Sequence, residues 1–278
     1  MEQYVTLKQI DQAAEFIRCR TSHQPRVGMV LGSGLGELAD LVEDADIIPT
    51  SDIPFWPEST VLGHDGRLVI GDLGGQKVMM LQGRTHYYEG YSTGQITLPI
   101  RVMQRLGMEM VILTNAAGAV HPDYNPGDLM ILSDHISLMM MTGPNPLRGP
   151  NIDELGERFP DMSQVYDLEL RSLAKKMAVE NGIAVHEGVY VCLSGPSFES
   201  PADLRFLKAI GVDAVGMSTV PEAIVARHGG LRVLGISGIS NKANLDGSTI
   251  TTHEEVLEAG KILVPKLKTI VMGLLRSL

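Results

Sequence analysis

The chain has 278 residues, of which 44% are hydrophobic, and its formal net charge is −10. This acidic balance and the lack of a basic run argue against a general nucleic-acid binder, so an anion site would have to be a local basic pocket. Cys19 and Cys192 are too few and too far apart for a disulfide framework. With no basic-then-apolar leader and no apolar run near ~18 residues, we predict a soluble, cytoplasmic protein without a membrane partner.

Taken in chain order, apolar spacing and capping signals predict alternating helices and strands. Thr6 and Gln9 have the spacing of a capping box before the first helix. Further helices are predicted over 35–42, 96–106 and 167–181, from Pro201, over 221–229 and from His253. Strands are predicted over 27–31, 67–72, 76–82, 110–114, 128–133, 188–193, 213–217 and 231–237.

The rest of the chain is predicted to be irregular or to form loops, chiefly at 44–66, 115–119 and 140–165. No linker, repeat or shift in composition divides the sequence. The pattern predicts one α/β domain over 1–278, with a central, largely parallel or mixed β-sheet flanked by helices on both faces.

Residues 83–90 have the sequence GRTHYYEG and follow an apolar strand. In an extended chain, alternate side chains share a face, so Arg84, His86 and Tyr88 would point to one place. A guanidinium fork matches phosphate or carboxylate geometry, and the imidazole and phenol add exchangeable hydrogen bonds. The alternative is a polar strand exit that makes ordinary surface hydrogen bonds.

Three small-residue loops could bring backbone N–H groups to an anion. The loop 32–36 (GSGLG) follows a strand, but it lacks the Gly-Lys-Ser/Thr ending of a Walker loop, and Glu37 replaces the third glycine of a dinucleotide fingerprint. Loops 115–119 and 217–221 are as ambiguous as the first. Together with Arg84 they favour a phosphate site, whereas His64, between glycines, is most simply a turn residue.

A second kind of site is indicated by Phe198-Glu199 and Asn241-Lys242. A carboxylate, an amide and an aromatic ring could recognise the edge and face of a planar heterocycle, although loop capping and a surface ion pair explain them equally well. The eight histidines are scattered, and His253-Glu254-Glu255 lacks the second histidine of a zinc helix. No nucleophile elbow is present, so chemistry would come from binding two reactants and stabilising charge.

Six motifs carry a resemblance to a known family. They are LGSGLG at 31–36, GRTHYYEG at 83–90, TNAAG at 114–118, GPSFE at 195–199, GMSTVPE at 216–222 and SNK at 240–242. In order and spacing they resemble the trimeric type of purine nucleoside phosphorylase. The resemblance implies the nucleoside phosphorylase fold, a homotrimer, and phosphorolysis of purine (deoxy)ribonucleosides in purine salvage. Inorganic phosphate would be a co-substrate, with no cofactor and no metal.

The resemblance also implies roles for individual residues. His86, Glu199 and Asn241 would be catalytic. Phosphate would be held by Ser33, His64, Arg84, Thr85, His86, Ala116 and Ser218, with His64 closing over it. The ribose would be held by Tyr88, Tyr190, Met217 and His253, and the base by Phe198, Glu199, Val215, Asn241, Lys242 and Phe159, the last from a neighbouring subunit.

Several alternatives stay open. Methylthioadenosine phosphorylase shares most motifs but has aspartate in place of Asn241 and an apolar residue near His253, so the present residues favour inosine and guanosine. A nicotinamide dehydrogenase would use 32–36 with Asp52, against which Glu37 argues. A non-catalytic nucleoside-binding protein would share the pocket. Ala119 and the short 243–252 segment depart from the family pattern, which makes the placement of His253 the least secure.

Overall fold

A computed structural model describes residues 4–61, 63–244, 247–248 and 252–278, with His253 described only through its backbone. The strands are β1 (Val27–Leu31), β2 (Glu43–Pro49), β3 (Arg67–Leu73), β4 (Gln76–Gln82), β5 (Met110–Ala119), β6 (Leu129–Ile136), β7 (Val185–Cys192), β8 (Ala214–Gly216) and β9 (Arg232–Lys242). The helices are α1 (Leu7–Arg18), α2 (Thr93–Ile96), α3 (Leu98–Arg105), α4 (Leu138–Met141), α5 (Leu168–Glu180), α6 (Pro201–Ala209), α7 (Val220–His228) and α8 (His253–Ser277).

All nine strands belong to one mixed sheet in the order β2-β3-β4-β1-β5-β8-β7-β6-β9, with a further pairing between β5 and β9. That pairing closes β5, β8, β7, β6 and β9 into a ring. Strand β5 is parallel to β1 and to β9 and antiparallel to β8. Since β9 pairs along the whole of β5, strands β1 and β8 share its other edge.

Helices cover both faces of the sheet, and β1 shows why. Its five residues are all buried, which is typical of a parallel strand between two layers. Val30 packs into one apolar cluster with α1, α3 and α7, while Met29 and Leu31 pack into a second cluster with α5 and α8. The predicted fold class is therefore confirmed. In the described part of the chain no helix is long and apolar enough to cross a membrane.

Local sequence signals set most helix starts. The predicted capping box of Thr6 and Gln9 is present at α1, and Ser200 with Asp203 forms another before α6. Pro99 lies at the start of α3, where its missing N–H costs no hydrogen bond. The predicted capping box at α1 is confirmed because it depends on neighbours in sequence, whereas the helix predicted over 96–106 is divided between α2 and α3 at Thr97.

Three predictions of secondary structure were wrong. Residues 43–49, predicted irregular from 44 onward, form β2, an exposed edge strand that pairs only with β3 among the described strands. The loop predicted at 115–119 is the second half of β5. The segment after 32–36 forms a 3₁₀ helix over Gly36–Leu41 in place of the predicted α-helix. In the first two, pairing with a distant strand outweighs weak local propensity.

The sheet brings the polar loops to one edge. Strands β4, β1, β5 and β9 are mutually parallel, so their carboxyl ends lie together. Ser33 follows β1, Arg84 follows β4, and Asn241 lies at the end of β9. Side chains far apart in sequence therefore meet at the edge where open α/β sheets bind ligands.

A glycine sets how closely β1 and β5 approach at this edge. A Cβ at Gly32 would lie 2.8 Å from the Asn115 Cα and 2.9 Å from the Thr114 carbonyl oxygen, both backbone atoms that cannot swing aside. We predict that Gly32→Ala lowers the free energy of unfolding by about 1–3 kcal/mol, as overpacking does. Urea unfolding at fixed protein concentration measures it.

Gly94→Ala in α2 is the matched control, because a Cβ there has no contact closer than 3.8 Å. We expect it to be neutral or to stabilise by about 0.4–1 kcal/mol. Equal stability of the two variants would contradict the close approach at Gly32.

Candidate active site

A cavity of about 670 Å³ opens at the carboxyl ends of the parallel strands. It gathers most of the residues that the sequence indicated. The predicted site residues that line it are Ser33, Arg84, His86, Tyr88, Ala116, Phe198, Glu199, Val215, Met217, Ser218 and Asn241. The polar loops of the sequence therefore form one site.

Arg84 is the buried cation of this cavity. Its Nε donates to Glu222 Oε1 at 3.1 Å, and its Nη1 donates to the Thr114 carbonyl at 2.5 Å. Only Nη2 has no hydrogen-bond partner among the described residues. The sequence suggested a guanidinium fork offered to an anion, but two of the three nitrogens are held by the protein. Nη2 is the guanidinium nitrogen whose hydrogens are left for an anion.

Glu222 also holds the turn that precedes α7. Its Oε2 accepts the backbone N–H of Thr219 at 2.9 Å, and Asn115 Nδ2 donates to Thr219 Oγ1 at 2.8 Å. Thr219 is fully buried and has a φ of +71°, which a β-branched residue rarely adopts. Such strain costs of order 1–3 kcal/mol and persists only where surrounding contacts impose it. The neighbouring Ser218 faces the cavity.

Three rings form a stack, of which His86 and Tyr88 line the cavity and His64 lies in the small adjoining cavity. The ring centroids of His64 and His86 are 5.4 Å apart, and those of His86 and Tyr88 are 4.7 Å apart at an interplanar angle of 12°. Arg84, His86 and Tyr88 do share the cavity, as predicted. The predicted reason was wrong, because residues 87–89 form a 3₁₀ turn instead of continuing an extended strand.

Glu89 fixes the tautomer of His86. The Nδ1 of His86 lies 3.1 Å from Glu89 Oε1, and the backbone N–H of His86 donates to the same oxygen at 2.7 Å. Burial raises the pKa of Glu89, but hydrogen bonds from His86 and Thr60 outweigh it and lower the pKa to about 2. A carboxylate only accepts, so His86 carries a proton on Nδ1 and turns Nε2 to other partners.

His64 is neutral and bonded to Ser33. Burial and the nearby His86 lower the pKa of His64 to about 4. Its Nδ1 lies 2.7 Å from the Arg84 carbonyl oxygen and 3.2 Å from the Arg84 backbone nitrogen. Its Nε2 forms a hydrogen bond of 3.0 Å with Ser33 Oγ.

The amide of Asn241 is aimed by an irregularity in β9. The register between β5 and β9 shifts after Ala117, so that Gly118 pairs with Asn241 and Ser240 is the extra residue. Such bulges re-aim side chains and are frequent beside active sites. The Ser240 hydroxyl donates to Asn241 Oδ1 at 2.8 Å, which fixes the amide orientation. Asn241 therefore presents both a donor and an acceptor to the cavity.

Glu199 and Phe198 lie on another part of the cavity wall. Burial is the main cause that raises the pKa of Glu199, with a further contribution from Asp203. The Phe198 side chain remains 48% exposed. A carboxylate and an amide that line the same cavity can bind the edge of a planar ring with several N–H and carbonyl groups.

Comparison with known proteins identifies the family. The profile of the phosphorylase superfamily matches residues 26–276. Purine nucleoside phosphorylase 1 of Geobacillus stearothermophilus is 56% identical over 90% of this chain and 90% of its own length. This chain is a member of the purine nucleoside phosphorylase family.

Solved structures of such phosphorylases have the same fold. The Schistosoma mansoni purine nucleoside phosphorylase in complex with inosine has a TM-score of 0.95, at 40% identity, over 100% of this chain and 99% of that one. Its complex with adenosine has a TM-score of 0.95 at 41% identity, over 99% of each chain. The resemblance to purine nucleoside phosphorylases drawn from the six motifs is thus confirmed.

Some predicted site residues lie outside the cavity lining. Thr85 lies beside His64 in a small adjoining cavity. Tyr190 is fully buried and accepts the Ser218 N–H at 3.4 Å, so it supports the wall from behind. The Lys242 Nζ donates to the Pro122 carbonyl at 3.3 Å and does not reach the cavity, which corrects its predicted contact with a base.

Two further predictions concern Phe159 and His253. The Phe159 side chain is 86% exposed and does not line this chain's cavity, and its contact with a neighbouring subunit's base site remains a prediction. The His253 side chain lies outside the described part of the structure, so its predicted contact with the ribose remains a prediction.

Sequence reasoning missed other lining residues. Asn115, Ala117, Gly118, Gly216 and Ser240 adjoin the predicted positions, so the motifs did mark their neighbourhood. Val61, Leu204 and Val256 are apolar residues on other segments, with no local signal that could have found them; the remaining ones are Pro196, Ala243 and Asn244.

A possible metal-binding group lies elsewhere. Ligand atoms of His23, Asp44 and Asp72 lie within 4.8 Å of one another, at the edge formed by β2 and β3. None of the three lines the cavity. The cavity itself is built from donors and acceptors for organic and phosphate groups.

The neutral His64 makes a prediction about pH. Its pKa is about 4 in the folded protein and ~6.5 when unfolded, so between these values the unfolded chain binds a proton that the folded chain does not. Stability therefore falls as pH falls from ~6.5 to about 4. We expect His64→Asn to reduce the slope of the unfolding free energy against pH by up to the equivalent of about one bound proton. Urea unfolding at several pH values measures the slope.

His135 and His228, whose pKa values are also about 4, keep part of the slope in the variant. The pH dependence of the variant is therefore compared with that of the wild-type protein, not with a flat line. Parallel curves for wild type and His64→Asn would show that His64 titrates normally in the folded protein.

Proposed function

We propose that this chain catalyses the reversible phosphorolysis of 6-oxopurine (deoxy)ribonucleosides, such as inosine and guanosine, to the free base and α-D-(deoxy)ribose 1-phosphate. One observation carries the proposal. A single cavity joins an anion-binding wall, with Arg84 and Ser218, to a base-recognising wall, with Glu199 and Asn241. A purine nucleoside and a phosphate fit these two chemistries side by side.

The phosphate would lie among Ser33, Arg84, His86, Ala116 and Ser218. Arg84 Nη2 supplies a buried N–H that has no partner among the described residues. His86, whose Nδ1–H donates a hydrogen bond to Glu89, can exchange a proton with a phosphate oxygen through Nε2. The Ser33 hydroxyl is hydrogen-bonded to His64, so a phosphate that binds this hydroxyl would displace the imidazole.

The reaction then follows from charge. Breaking the glycosidic bond places positive charge on the sugar and negative charge on the purine. A phosphate below C1′ stabilises that positive charge and attacks with inversion, with no covalent enzyme intermediate. Tyr88 and Met217 would hold the sugar between the two walls. Fixed dipoles and the alignment of two reactants supply the acceleration.

Base specificity would depend on Glu199 and Asn241. A 6-oxopurine presents N1–H to the Glu199 carboxylate, and it presents O6 and N7 to the Asn241 amide. Adenine presents a bare N1, so the carboxylate would face a lone pair, and a mismatch of this kind can reduce turnover by ~10⁴-fold. A related structure holds adenosine, so the distinction must be sought in turnover as well as in binding.

The proposal includes a homotrimer. A groove of about 560 Å³ adjoins the cavity and shares Phe198 and Glu199 with it; Tyr87, Met139 and Phe206 add apolar surface. The Phe159 side chain of another subunit could pack there and close the base site.

No cofactor enters this mechanism, because phosphate itself is the second reactant. A cytoplasmic setting is supported by two cysteines that are both free thiols.

The first prediction is phosphate dependence. Inosine with phosphate should release hypoxanthine and ribose 1-phosphate, while inosine alone should release at most a trace of base. Coupled oxidation of hypoxanthine measures the rate. Equal release without phosphate would overturn phosphorolysis, and the absence of any release would favour a non-catalytic binding protein.

A second prediction concerns the base. Asn241→Asp replaces the amide donor with a carboxylate that can accept from the adenine amino group. We expect selectivity to shift toward adenosine over inosine by at least about tenfold in kcat/KM. Asn181→Asp is the control, since Asn181 lies at the end of α5. Unchanged selectivity in Asn241→Asp would show that Asn241 does not recognise the base.

A further inference from the structure

The carboxylate of Glu222 lies behind the cavity wall and is 6% exposed. Its two oxygens are shared between two parts of the site. Oε1 accepts from Arg84 Nε at 3.1 Å, and Oε2 accepts from the Thr219 backbone N–H at 2.9 Å. Arg84 follows β4 and Thr219 follows β8, two strands that β1 and β5 separate in the sheet. One side chain thus joins both sides of the proposed phosphate site.

On one side, Glu222 fixes the plane of the Arg84 guanidinium. Nε is held by Glu222, and Nη1 is held by the Thr114 carbonyl at 2.5 Å. Two anchors on a planar group leave it no rotation. The N–H groups of the remaining nitrogen, Nη2, are therefore fixed in orientation. Donors fixed in this way need no reorganisation when phosphate binds.

On the other side, Glu222 holds the strained turn at Thr219. The left-handed φ of +71° is imposed by the bond to Glu222 Oε2 and by Asn115 Nδ2, which donates to Thr219 Oγ1. The preceding residue, Ser218, lines the cavity, and its Oγ lies 3.1 Å from Thr219 Oγ1. Loss of the Glu222 contact would let the turn relax and would carry Ser218 with it.

We propose that Glu222 is a positioning residue for the phosphate step: it sets Arg84 and Ser218 in register with each other. This inference rests on the proposed function. Electrostatics alone argues for the opposite effect, because a carboxylate near an anion site repels phosphate. The two explanations therefore differ in the sign of the effect on phosphate binding.

Glu222→Gln separates them. Glutamine keeps the size of the side chain but turns one acceptor oxygen into a donor, so it cannot accept from both Arg84 and Thr219. We expect the KM for phosphate to rise and kcat/KM for phosphate to fall about 10²-fold, as misplacement by ~1 Å can cause. The KM for inosine should change by less than about threefold, because the residues proposed to bind the base and the sugar are not altered. A fall in the KM for phosphate would overturn the proposal.

Two more variants guard against simple loss of folding. Glu222→Asp keeps the charge but is one methylene shorter, so it should also weaken phosphate use, and a wild-type phosphate KM in this folded variant would overturn the proposal. Glu180→Gln is the control, because Glu180 is exposed at the end of α5. It should leave both KM values unchanged.

A double-mutant cycle tests whether Glu222 acts through Arg84. The loss in Arg84→Gln/Glu222→Gln should be smaller than the product of the two single losses, since contacting residues are not independent. Multiplicative losses would overturn the coupling. Wild-type enzyme without phosphate-dependent turnover would instead refute the proposed function, so the two failures are distinct.

Discussion

The structure of the site depends on how the two edges of β5 are used. One edge pairs with β9 along all ten residues of the strand. On the other edge, the ladder to β1 ends at Leu113 and the ladder to β8 begins at Gly118. Residues 114–117 thus lie where two neighbouring strands part. The cavity opens along this gap, and the backbone there is free to meet other groups.

The buried polar network fills the same gap. Arg84 donates to the Thr114 carbonyl, and Thr114 Oγ1 donates to the Val30 carbonyl at 3.0 Å and accepts the Gly32 N–H at 3.2 Å. Buried polar groups are costly unless they are paired. A cation placed at this point therefore requires partners, which come from β5 and α7. Glu222 supplies the compensating charge, and the partners leave Arg84 Nη2 for a ligand.

Irregular backbone geometry occurs next to residues that line the cavity. Thr219 has a left-handed φ, β9 is bulged at Ser240, and Gly32 allows close approach of two backbones. The left-handed φ and the bulge are locally unfavourable, and the close backbone approach restricts position 32 to a small residue. Tertiary contacts hold all three features in place. Around them, the two apolar clusters on either face of the sheet supply a rigid frame. These three features thus lie at the edge of the sheet where two reactants would meet.

The sequence by itself determined the elements whose signals are local: capping boxes, apolar strands and the six motifs that identify the family. Tertiary structure alone decided the rest. Residues 115–119 are small and weakly strand-forming, yet they are a strand because β9 and β8 pair with them. The edge strand β2 depends on β3 in the same way. Likewise, the sequence marked Arg84 as an anion ligand, but only the fold shows that Glu222, 138 positions away, and Thr114 hold two of its nitrogens. The physical reason is that hydrogen-bond partners distant in sequence leave no periodic pattern, whereas caps and apolar faces do.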